Sequence, residues 1–116
     1  MKKGTKKEAA IIRDIRGYLK TRPDCFFWKE HGGIYGTAGI PDIICCISGR
    51  FVAFEAKRPG NKPTELQKKT ISDIWKAGGL AYVVYSVEDV KNILEEVIDN
   101  GEFLDETRPR FANEIL

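Results

Sequence analysis

No apolar run in the 116 residues approaches the ~20 needed to cross a bilayer. The lysine-rich start leads into an amphipathic stretch and not into a signal-peptide core, so no membrane partner and a cytoplasmic location are the expectation. Cysteine is scarce: Cys25, Cys45 and Cys46 are an odd set that closes no disulfide framework, and Cys45 and Cys46 would point to opposite faces of a strand. All three are expected to be small buried hydrophobes. With His31 the lone histidine, no Cys or His pair has the spacing of zinc ligands. Internal repeats, long linkers and low-complexity tracts are also missing. What is present, 42% hydrophobic and 31% charged residues, describes one globular domain over residues 1–116. A chain this short has no room for a separate substrate domain, so an active site must be built on the core elements.

The net charge of +2 conceals an uneven distribution. Residues 1–69 hold 15 Lys and Arg against seven Asp and Glu, or +8, and residues 70–116 hold four against ten, or −6. The first part can attract a polyanion, although an unevenly charged solvated surface has the same composition.

Ile11, Ile12, Ile15, Tyr18 and Leu19 recur at helical spacing over residues 6–20, ahead of Pro23. The aromatic segment 25–29 predicts a strand, followed by a glycine-rich loop over 31–39. Residues 41–47 and 50–57 are rich in β-branched and aromatic types and are separated only by Ser48 and Gly49, which suits a two-residue hairpin turn. Thr64 and Gln67 form a capping-box signature opening a helix that carries Leu66, Ile71, Ile74 and Trp75 and closes at Gly78 and Gly79. The almost wholly apolar run 80–85 predicts a strand buried on both faces, and a last helix runs from Ser86 to Gly101 with Val90, Ile93, Leu94, Val97 and Ile98. The tail 102–116 shows no period.

Counting back from the Ser48–Gly49 turn sets Asp42 opposite Glu55. Directly opposed side chains have Cβ atoms ~4.5–5.5 Å apart, and like charges there are destabilising unless a positive charge sits between them. A divalent cation removes that penalty, and oxygen ligands suit Mg²⁺ or Mn²⁺. Strand alternation puts Lys57 on the face of Glu55. An ammonium there can orient an attacking water, help it lose a proton, or stabilise charge building on a phosphorane-like transition state; a plain Glu55–Lys57 surface pair is the alternative. Glu8 falls on the apolar stripe of the first helix, either frayed at the helix start, where negative charge is favourable, or turned to the same metal site.

The arrangement Pro41-Asp42, Glu55-Ala56-Lys57, with Glu8 on the first helix and Gln67 on the helix after the hairpin, resembles the PD-(D/E)xK nuclease superfamily. Within it, Gly39-Ile40-Pro41-Asp42, Phe54-Glu55-Ala56-Lys57 and Thr64-Glu65-Leu66-Gln67 are most similar to the VRR-Nuc branch, which includes stand-alone phage and bacterial proteins. The resemblance runs from Glu8 to Tyr85. It implies an α/β fold with a PD-(D/E)xK restriction-endonuclease-like core, order α-β-β-β-α-β, here followed by a C-terminal helix. It further implies that Asp42 and Glu55 are metal ligands helped by the Ala56 carbonyl, that Lys57 is the catalytic lysine, and that Glu8 reaches the metal directly or through water. Gln67 would support Lys57 or the attacking water, and a purely capping role is equally compatible. The branch usually has a valine or similar residue where Ala56 stands, a mild departure at a position that contributes only its carbonyl.

The expected activity is therefore Mg²⁺- or Mn²⁺-dependent, structure-specific endonucleolytic hydrolysis of DNA. Lys29, Tyr35, Arg58, Lys62, Lys68 and Lys69 are candidate backbone contacts, and His31 is a bystander or phosphate contact. No base-reading helix or finger is apparent, so shape is the expected recognition mode. Stand-alone members of the branch resemble dimeric Holliday-junction resolvases, which implies a homodimer on four-way junctions, with the last helix and apolar tail as the surface offered to the second copy. The alternatives are a catalytically silent DNA-binding or assembly module and an endonuclease of flaps or nicked duplex, of repair or restriction type.

Overall fold

A computed structural model describes residues 6–31 and 38–101. Its elements run α1 (Glu8–Leu19), β1 (Cys25–Lys29), β2 (Ile43–Ile47), β3 (Arg50–Ala56), α2 (Glu65–Lys76), β4 (Leu80–Val84) and α3 (Val87–Leu94), and α3 continues into a π-helical turn, Glu95–Asp99. The sheet order is β1-β2-β3-β4. β1 and β3 flank β2 antiparallel, and β4 joins β3 in parallel. A parallel neighbour cannot be reached by a tight turn, so the chain crosses over through α2. This is the α-β-β-β-α-β order of a PD-(D/E)xK-like core with a helix joined to its end.

Strand alternation assigns the two faces. Ile43, Cys45, Ile47, Val52, Phe54, Ala56, Leu80, Tyr82 and Val84 point to one side and are covered by α1, through Ile11, Ile12, Ile15 and Leu19, and by α3, through Val90, Ile93 and Leu94. Ile44, Ala53 and Ala81 point to the other side, where α2 lays Ile71, Ile74 and Trp75 across them. Leu80, Tyr82 and Val84 face one way and Ala81 and Val83 the other, all but Val83 fully buried, so the strand reads as the apolar run it is.

The hairpin turn is as its residues require: Ser48 and Gly49 have φ of 50° and 81°, the paired positive values of a type I′ turn. The capping box is complete, Gln67 N–H donating to Thr64 Oγ1 at 3.1 Å and Thr64 N–H donating to Gln67 Oε1 at 2.8 Å. Gly39 is forced twice over. Its φ is +84°, and a Cβ there would stand 2.8 Å from both Leu66 Cγ and Thr70 Oγ1, so the approach to α2 admits no side chain.

Four expectations are corrected. The last helix is not regular to Gly101: after Leu94 the ladder widens by one residue, Asn100 N–H reaching Glu95 O at 2.8 Å. Its apolar side is not offered to a second copy either, because Val90, Ile93, Leu94 and Val97 are all spent inside the chain's own core. Leu66 is 48% exposed, since it sits in the first turn of α2, past the sheet. Of the cysteines only Cys45 is buried; Cys25 is half-buried and Cys46 is exposed, because α2 leaves the turn-proximal end of β2 uncovered. The tail 102–116 and Tyr35 lie outside the described residues.

Candidate metal centre

The β2–β3 register pairs Ile47 with Arg50 through to Ile43 with Phe54, so the next step brings Asp42 to Glu55. Asp42 stands just before β2, and its Oδ2 accepts from Ala56 N–H at 2.8 Å, stitching the end of the hairpin across to β3. From the other side Glu30 N–H donates to the Asp42 carbonyl at 2.7 Å. Both ends of Asp42 are thus held by neighbouring strands.

Glu55 is buried to 3% exposure, the one fully buried charged residue among those described. Lys57 Nζ lies 3.6 Å from its Oε2, and Gln67 Nε2 donates to the same oxygen at 2.9 Å. Burial, then the nearby charge of Asp42, pushes the Glu55 carboxyl up to about 8, against the pull of Lys57. Glu8 adds to the rise, which sets the start of α1 within electrostatic reach of Glu55. The Asp42 carboxyl is also raised, chiefly by burial, with the Ala56 N–H and the charges of Lys29 and Lys57 opposing. Burial and mutual repulsion make it costly to ionise both carboxyls, and a hard cation between them would offset that cost.

The donor set fits such an ion. Two carboxylates face each other, each with one oxygen already anchored by a protein N–H, which leaves the remaining oxygens for a metal. Among the described residues no group of three His, Cys, Asp or Glu could hold a metal ion, so the protein would supply few ligands and leave the rest to carbonyl, water and substrate oxygens.

The sequence-based candidates divide. Asp42, Glu55, Ala56, Lys57 and Gln67 meet at one end of the sheet, with Glu8 nearby. Gln67 serves both of its readings at once, capping α2 and bonding the site, although its partner is Glu55 and not Lys57. Lys29 is half-buried, and its charge falls on Asp42. That position escapes sequence reasoning because the register of β1 on β2 depends on the intervening loop. Arg58, Lys62 and His31 are exposed. Lys68 and Lys69 are paired with Glu65 and Asp73 on their own helix, at 3.3 and 2.8 Å.

The fold is similar to that of a solved structure described as a VRR_NUC domain protein. The two share 21% identity over 87% of this chain and 95% of that chain, with a TM-score of 0.68. No family model matches the sequence, and no curated protein matches it in sequence. What the two chains share is therefore the fold.

Proposed function

We propose that this protein is a divalent-metal-dependent DNA endonuclease of the VRR-Nuc type. The observation that carries the proposal is the buried Glu55, facing Asp42 with Lys57 beside it, an arrangement that costs stability and serves no packing purpose. Asp42 and Glu55, with the Ala56 carbonyl, would hold Mg²⁺ or Mn²⁺, and Glu8 would reach it through water. When bound, the cation would supply Lewis-acid activation of water and of the phosphate. Lys57 orients the attacking water and stabilises charge developing on the scissile phosphate. Gln67 fixes the Glu55 carboxylate, and the Ala56 N–H fixes that of Asp42. Hydrolysis in this geometry leaves 5′-phosphate and 3′-hydroxyl ends. The excess of positive charge in residues 1–69 favours a polyanionic substrate, with Arg58, Lys62 and Lys29 as candidate phosphate contacts. A branched substrate, a four-way junction above all, suits a homodimer that makes paired cuts.

The test is a panel of labelled junction, flap, nicked, duplex and single-stranded DNAs with Mg²⁺ or Mn²⁺. Metal-dependent cutting that Asp42→Ala abolishes is the expected result; no cutting of any of them by the folded protein overturns it. A catalytically silent binding module is the second reading, favoured by the want of a third close ligand among the described residues. Calorimetric titration with Mn²⁺ separates the two, because a silent module shows no binding that depends on Asp42 and Glu55.

A further inference from the structure

We propose that the outer edge of β1 is a self-association surface, on which a second copy of this chain adds its own β1 antiparallel and joins the two four-stranded sheets into one. The surface itself stands on the structure alone; its consequence for cutting rests on the endonuclease reading.

The sheet has two edges, and they differ. β4 is buried at four of its five positions, with helices against both faces. β1 alternates half-buried and exposed, and its exposed residues are Phe26 at 69% and Trp28 at 48%. No proline interrupts β1, and its first charge is Lys29, at the far end, so among the described residues the edge lacks the usual guards against pairing with another strand. The register carries the apolar surface inward: Phe26 lies opposite Cys46, and Cys46 opposite Phe51, which is 45% exposed. At 150–250 Å² per aromatic side chain, the three rings expose roughly 300 Å². That is a fitting apolar centre for one side of a standard interface, ~800 Å² per partner.

The polar atoms of this surface are ready for burial. Trp28 Nε1 already donates to Glu30 Oε1 at 3.0 Å, so covering the indole strands no donor. Phe26 and Trp28 lie 6.2 Å apart and tilted by 55°, the side-by-side arrangement that accepts another pair of rings. A two-fold axis through Phe27 sets each Phe26 opposite Trp28 of the second copy, and so pairs all four exposed rings across the new ladder.

The symmetry has a functional corollary. A two-fold relating antiparallel strands of one sheet is perpendicular to that sheet, so it keeps both α2-bearing faces on the same side. Asp42 and Glu55 are on that face, beyond the Lys29 end of β1. The two metal centres would then lie on one side of the joined sheet, diagonally across the axis and roughly 30 Å apart by strand spacing and rise. One branched substrate could meet both.

Light scattering across a concentration series tests the surface. The full chain is expected at twice the 13.1 kDa of one copy. Phe26→Lys and Trp28→Lys should each weaken association at least tenfold, and Tyr85→Lys, beyond the end of β4, should leave it intact. As a measurement free of substitutions, amide exchange in β1 should slow as concentration rises. Folded Phe26→Lys and Trp28→Lys proteins that remain dimeric, or dissociation by Tyr85→Lys alone, overturn the proposal. So does a monomer at every concentration, whether or not residues 102–116 protect β1. Mn²⁺ titration of the Phe26→Lys protein reports separately on the endonuclease reading: binding should persist there, and its loss in all variants would count against the metal centre, not against the edge.

Discussion

Toward the Ser48–Gly49 turn, the α2-bearing face of the sheet leaves Phe26, Cys46 and Phe51 open to solvent; toward Asp42, the same face shuts Glu55 away to 3% exposure. The two ends depart from ordinary burial in opposite senses, an apolar row outside and a carboxylate inside. Folding favours neither, since rings gain by leaving water and a charge loses by it. The rest of the sheet, from Ile43 to Val84 on the α1 side, obeys the rule throughout. Where both departures fall on one face, that face is shaped by what it binds. The middle of it, Ile44, Ala53 and Ala81 beneath Ile71, is an ordinary core that holds the two ends at fixed separation.

The sharpest way to break the comparison is at the acidic end. Asp42→Ala and Lys57→Ala should each lower metal-dependent cleavage at least a hundredfold without unfolding the protein, measured as initial rates with circular dichroism as the check; full activity in Asp42→Ala would refute the metal assignment. Next comes DNA binding, which should fall tenfold or more between 50 and 200 mM salt on the order of several released counterions, so a flat response in a fluorescence titration would remove nucleic acid as the substrate.

The third concerns Glu55 and pH. Its folded value of about 8 lies above the ordinary 4.5, so the folded chain binds the extra proton between those values. Stability of the metal-free protein should therefore be full below pH 4.5 and fall as pH rises toward 8, by up to a few kcal/mol (~1.4 per unit). Denaturant melts at several pH values would show this. Glu55→Gln should flatten the profile and so should Mn²⁺, and a wild-type profile without a slope in that window would contradict the burial of the carboxyl. Gly39→Ala should cost about 2–3 kcal/mol, because the new Cβ meets Leu66 and Thr70 at a positive φ. At the aromatic end the effect on a single copy is smallest. Phe51→Ser should lower the stability of dilute protein by only about 1 kcal/mol, as expected of a ring that is 45% exposed and lies against Gly79 with the rest of its surface.

Much of this was legible in the residues. The hairpin register followed from two turn residues with the right backbone freedom, and with it the meeting of Asp42 and Glu55. Helical spacing marked the α1 stripe, and Thr64 with Gln67 marked the start of α2. What escaped depended on contacts between distant segments. A stripe such as Val90, Ile93, Leu94 and Val97 says that one side of a helix is buried but not against what, so its use inside the core could not be told from its use between copies. Cys46 and Phe51 looked like the rest of their apolar strands, because only the length and placement of α2 decide which end of the face stays open. The family-level roles of the acidic residues came from resemblance, and their proximity came from the fold.

The amide of Gln67 is engaged at both of its atoms, its oxygen by Thr64 N–H and its nitrogen by Glu55. At this position of a helix start glutamate closes the same reciprocal box as well as glutamine, and its charge suits the amino end better. A glutamate here would nevertheless bring an additional anion against a carboxylate that already resists ionising. The neutral amide avoids that repulsion and donates a hydrogen bond to Glu55 that a glutamate could not, so one residue serves both the helix start and the neighbouring carboxylate.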